Sequence, residues 1–184
     1  SDENWAGETF GTPGAPNEAW FEHIDYIVQS AAAHDLRMAL VLSWGSRHDL
    51  FTSETAYSYG AYVAERYCDD DHVAVLYIAG EFNWPEENLD IWTQMTQGIV
   101  DTCPDKLIAA HPRWFGGYEF QTTSHALHDL PGFSFNAIQS SLYGNCTNDP
   151  EHDRYLGTHN WLLVENDYAI TPTKPVFDAE ATYE

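Results

Sequence analysis

Two carboxylates in this sequence stand where acid chemistry would be positioned. Glu81 closes the run VAVLYIAGE from Val73, and Glu180 closes VFDAE from Val176. Paired carboxyl groups across a groove can cleave a glycosidic bond: one, kept protonated, gives a proton to the leaving oxygen, while the other, ionised, attacks the anomeric carbon or activates water. Among 29 acidic residues, two glutamates alone would mean little. What gives them weight is their shared position at the ends of apolar runs, in company with Trp44, Asn83, Trp84, His111, Arg113 and Gln139. These six are candidate substrate-binding residues. Asp178, two residues before Glu180, joins them as a residue that orients a neighbour. The plainer alternatives are a Glu81 that opens a solvated loop, tryptophans that fill a core, and a His111–Arg113 set that pairs with surface acids.

The elements that must carry these residues follow from periodicity. Seven uncharged residues, Val73 to Ala79, suit a strand buried on both faces, with Gly80 allowing the bend that delivers Glu81 to the rim. Residues 1–16 read as a loop. Asn17 caps a predicted helix reaching about His34, and Met38 to Leu42 is a strand that runs into Ser43-Trp44-Gly45. Ser53 caps a second helix, which stops at Asp69-Asp70-Asp71, and a third spans Leu89 to Cys103 before Pro104. Strands follow at Lys106 to Ala110 and Phe133 to Ile138. A weak helix, Ser124 to Leu130, carries His125-x-x-His128 at the surface, and a last helix spans Tyr155 to Tyr168. A short strand, Val176 and Phe177, leads into Asp178-Ala179-Glu180.

Strand and helix alternate, and every strand ends in polar or aromatic residues, the pattern of a (β/α)8 (TIM) barrel. A doubly wound sheet is the rival, but no glycine-rich phosphate loop follows any strand. Five strands do not close eight, so the chain is expected to be an incomplete barrel, about strands 3 to 7, forming one partial catalytic domain over residues 1–184.

Composition narrows the partners. A formal net charge of -22 argues against nucleic acid and anionic membrane, and the acids are spread along the chain rather than gathered in a tail. With 43% hydrophobic residues the chain can bury a core. The three cysteines, Cys68, Cys103 and Cys146, are odd in number, widely spaced and free of any CxxC pair, so buried free thiols are expected. No HxH follows a strand, and neither a metal nor another cofactor is expected.

The order SWG, AGEFN, HPR, NAIQSS and TPTKPVFDAEATYE resembles the apiosidase-like glycoside hydrolases from about Asn17 to Glu184, most specifically in KPVxDxE. The resemblance implies a (β/α)8 barrel with the acid/base after strand four and the nucleophile at strand seven, placing those roles on Glu81 and Glu180. It also implies a plant or algal polysaccharide side chain as substrate, a secreted or periplasmic location, and a possible C-terminal β domain. The family pattern reads Gly-Gly-Asp where this chain has Ala79-Gly80-Glu81, so apiose specificity is not carried over. Two other readings remain: a non-catalytic carbohydrate-binding barrel, and a metal-dependent hydrolase on the same barrel. For the glycosidase, the carboxyl groups are expected roughly 5 to 5.5 Å apart, the spacing of retention.

Overall fold

The computed structural model describes residues 3–4, 6–81, 88–113, 122–140 and 160–181. Within the stretch read as a loop, a small hairpin pairs β1 (Gly11–Thr12) with β2 (Ala15–Pro16). Helix α1 (Glu18–Ala32) starts at Asn17, whose extended backbone lets its side chain accept from the Ala19 amide. Then come β3 (Met38–Val41), a 3-10 turn at Gly45–Leu50, α2 (Ser53–Tyr67) and β4 (Val73–Tyr77). The cap of α2 is Thr52 rather than Ser53, because Thr52 and Thr55 exchange hydrogen bonds as a capping box. The rest is α3 (Leu89–Thr102), β5 (Leu107–Ala109), the single turn α4 (Ser124–Leu127), β6 (Asn136–Gln139), α5 (Asn160–Tyr168) and β7 (Val176–Glu180). The residues expected to begin the last helix, 155–159, lie outside the described ones.

The larger strands are all parallel. β4 lies between β3 and β5, while β6 pairs with β7. The two ladders are joined where the Ser134 amide donates to the Ile108 carbonyl at 2.8 Å and the Ile108 amide donates to Ser134 Oγ at 2.9 Å. Neighbours in sequence are therefore neighbours in space, with no reversal of strand order among them. This is a mixed α/β fold with parallel sheets. β6 is buried throughout, whereas the outer strands expose Val41 (46%) and Phe177 (55%), as unpaired edges do.

Helices α2 and α3 touch backbone to backbone. A Cβ on Gly60 would stand 2.2 Å from the Met95 carbonyl oxygen, and one on Gly98 2.1 Å from that of Tyr57, so no larger residue fits at either position. The expectation of free thiols fails here, because Cys68 and Cys103 form a disulfide. Each follows the last residue of its helix, and its separation of 35 residues matches that between Gly60 and Met95. The helices thus run side by side in one direction, bringing their ends to the same level. Wide sequence spacing concealed that proximity. By loop-closure entropy the crosslink contributes roughly 3–4 kcal/mol. Cys146 lies outside the described residues.

A second correction concerns His125-x-x-His128. Only His125 is exposed; α4 ends at Leu127, and the chain then turns His128 inward to meet the Asn136 side chain of β6. Nearby, Asp167 of α5 is buried and accepts from Thr122 Oγ1 and Ser124 Oγ, which ties α5 to the entry of α4.

Arg66 fastens α2 to α1. Its guanidinium grips Asp25 through Nε at 3.0 Å and an Nη at 2.5 Å, and also reaches Glu18 at 2.7 Å. Burial opposes ionisation of Asp25, but hydrogen bonds from Arg66 and Tyr67 outweigh it and hold the carboxyl below the usual range. A depressed folded-state pKa gives stability that is present above the unfolded value and lost as pH falls through the folded one. Arg66→Met should therefore destabilise by about 1–2 kcal/mol at neutral pH. In denaturant melts across pH, the gap to the natural protein should close below about pH 4.

Candidate active site

Main-chain hydrogen bonds continue past the strand ends and align the residues there. The Leu42 amide donates to the Tyr77 carbonyl at 2.9 Å, Gly80 to Ser43 at 2.8 Å, and Gly45 to Gly80 at 2.5 Å. On the other side, Ile78 donates to Ala109 at 2.9 Å and His111 to Ala79 at 2.8 Å. Trp44, Glu81 and His111 consequently leave three adjacent strands at the same C-terminal edge. Gly80 is required for closeness rather than for bending: a Cβ there would lie 2.5 Å from Cε3 of the Trp44 ring and 3.1 Å from Val41 Cγ1. The bend falls on Glu81 itself, whose φ of 37° is in the left-handed region that non-glycine residues seldom occupy.

Glu180 sits at the end of β7. Gln139 Nε2 donates to its Oε2 at 2.8 Å, and His111 Nε2 lies 3.4 Å from the same oxygen. The other ring nitrogen, Nδ1, is 2.8 Å from the Pro112 carbonyl, which can only accept, so Nδ1 carries a proton. In the neutral ring Nε2 then presents a lone pair to Glu180; it donates to the carboxylate only when the imidazole is protonated.

A register shift separates Asp178 from Glu180. On a regular strand, residues two apart share a face, but here Asp178 pairs with Ile138 and Glu180 with Gln139, leaving Ala179 as the extra residue. Ile138 and Gln139 are consecutive and point oppositely, and their partners follow them. Glu180 meets Gln139 and His111, while Asp178 is held by Ser140, whose Oγ donates to Oδ2 at 2.5 Å.

The structure thus gathers His111, Gln139 and Glu180 in one cluster, and sets Trp44 against Gly80, which precedes Glu81 in the chain. Trp44 is 48% exposed, so it is a surface ring and not core filling. Arg113 is partly buried at the end of the His111 segment. Asn83 and Trp84 lie outside the described residues. Ser140 was missed in the sequence, where only its place after Gln139 in NAIQSS marked it.

A largely apolar cavity of about 670 Å³ opens beside Trp44, between β3, α1, α2 and the N-terminal hairpin. Phe10, Phe21, Leu42 and Tyr59 line it together with Trp44 and Arg47, whereas Glu81, His111, Gln139 and Glu180 do not. Sugars need convergent polar groups, and the strand ends gather them, which makes the rim the candidate site.

The family described as "Apiosidase-like, catalytic domain" matches residues 1–184. This chain belongs to that family. Among solved structures it is similar to a protein titled "Glycoside hydrolase", with 28% identity and a TM-score of 0.81 over 99% of this chain and 42% of that one. It is also similar to a glycoside hydrolase family 5 from Bacteroides vulgatus ATCC 8482, with 27% identity and a TM-score of 0.81 over 98% of this chain and 40% of the other. The chain spans about two fifths of the length of these structures. No curated protein matches it in sequence.

The contact between Gly80 and Trp44 leads to a structural test. Gly80→Ala should displace the Trp44 ring and destabilise by about 1–2 kcal/mol. Most of that loss should vanish in a Trp44→Ala background, measured as a double-mutant cycle in denaturant melts.

Proposed function

We propose that this chain is part of the (β/α)8 catalytic domain of a retaining glycosidase, with Glu180 as nucleophile and Glu81 as acid/base. The observation that carries the reading is the Glu180 carboxylate, presented at the end of a parallel strand and held through one oxygen by Gln139 beside His111. Family membership over the whole chain supports it. The unbroken order of β3, β4 and β5, the Ser134–Ile108 link to the β6–β7 pair and the exposed outer strands support an arc of such a barrel.

In this mechanism an oxygen of ionised Glu180 attacks the anomeric carbon while the bond to the leaving oxygen breaks, and that oxygen takes the proton of Glu81. Water, deprotonated by Glu81, then attacks the same carbon and frees Glu180, so both groups return to their starting states. Trp44 offers an exposed ring face on which a sugar can stack beside Glu81. The substrate class is a side chain of a plant or algal polysaccharide. The Cys68–Cys103 disulfide favours an oxidising, extracytoplasmic location.

Substitution separates the two carboxylates. Glu180→Gln should lower kcat/KM at least about a thousandfold on every substrate. Glu81→Gln should lose about 10²–10⁴-fold on natural linkages, yet keep most of kcat/KM on aryl glycosides whose leaving groups need no proton. Steady-state kinetics on the two substrate types decides it; equal losses for both variants on an activated aryl glycoside would contradict the roles.

A further inference from the structure

Gln139 holds one hydrogen bond too few. Gln139 is only 1% exposed, and it lies at the C-terminal end of β6, which is buried along its length. Nε2 donates to Glu180 Oε2 at 2.8 Å. Oε1 is buried and has no partner among the described residues. Exchanging the two amide atoms does not help, because an ionised carboxylate only accepts and must face the NH2 group. A buried carbonyl oxygen without a donor is costly, and native structures hold few of them, a catalytic role being one reason to keep one.

We propose that Gln139 Oε1 accepts a hydrogen bond from the sugar hydroxyl on the carbon next to the anomeric centre, making Gln139 a specificity-determining residue. The inference rests on Glu180 being the nucleophile. Both amide atoms share one carbon, so Oε1 lies one amide width from the atom that grips Glu180. When that carboxylate reaches the anomeric carbon, the first hydroxyl outward from it is the one on the adjacent carbon. As the leaving group departs, the electron-poor ring makes this O–H a better donor, so the hydrogen bond strengthens in the transition state. The amide would thereby couple nucleophile position to recognition of the neighbouring hydroxyl. A substrate lacking that hydroxyl leaves Oε1 unpaired.

The test is a cycle between protein and substrate, using the intact protein and an accepted 4-nitrophenyl glycoside together with its 2-deoxy counterpart. Gln139→Met removes both amide functions at similar volume; Gln139→Asn shortens the side chain but keeps them, and serves if the Met variant does not fold. The expected result is that kcat/KM falls about ten- to hundredfold more on the 2-hydroxy substrate than on the 2-deoxy one. Comparing ratios cancels the higher intrinsic reactivity of 2-deoxy glycosides. Equal losses on both substrates in a folded variant would overturn the proposal, showing that Gln139 acts only on Glu180. A Glu180→Gln variant that keeps cleaving the aryl glycoside would instead strike down the assignment of Glu180 as nucleophile and the inference with it.

Discussion

The arrangement of the rim depends on parallel hydrogen bonding that continues beyond the regular strands. Because Gly80 is bonded to Ser43 and Gly45 on one side, and Ala79 to His111 on the other, three strand ends stop at one level. Without that alignment Trp44, Glu81 and His111 would be scattered along the sheet. The alignment is supported from behind: α2 and α3 approach so closely that only glycine fits at positions 60 and 98, and the Cys68–Cys103 crosslink fixes their relative height. Strands connected through such helices have little freedom to slip, and a one-residue slip would turn every side chain to the opposite face.

The second ladder solves a different problem. In a chain of net charge -22, two carboxylates two residues apart would repel on a regular strand. The extra residue at Ala179 sends them to different partners, Asp178 to Ser140 and Glu180 to Gln139 and His111. One acid becomes a brace for the end of β6, while the other keeps an oxygen anchored at the rim. A bulge beside reactive groups is a common way to re-aim a side chain.

Much of this was legible in the sequence because periodicity and strand-end chemistry are local. The uncharged run from Val73 and the helical spacing from Asn17 placed the starts of β4 and α1, with each ending about two residues early, and the polar residues after each apolar run pointed to the rim. What escaped depends on distance in space. The disulfide joins helix ends 35 residues apart, His128 is turned inward by packing on β6, and the role of Gly80 comes from a tryptophan on the neighbouring strand. The bend expected at Gly80 falls on Glu81, while Gly80 makes the close contact with Trp44.

As the proposed nucleophile, Glu180 would form a covalent bond to the sugar. Incubating the intact protein with an activated 2-deoxy-2-fluoro glycoside of the accepted sugar slows breakdown of a covalent intermediate, and peptide mass spectrometry locates the adduct. The expected result is one glycosyl unit attached to Glu180 and released product of retained configuration. An adduct on Asp178 or Glu81, or no adduct together with inverted product, would contradict it.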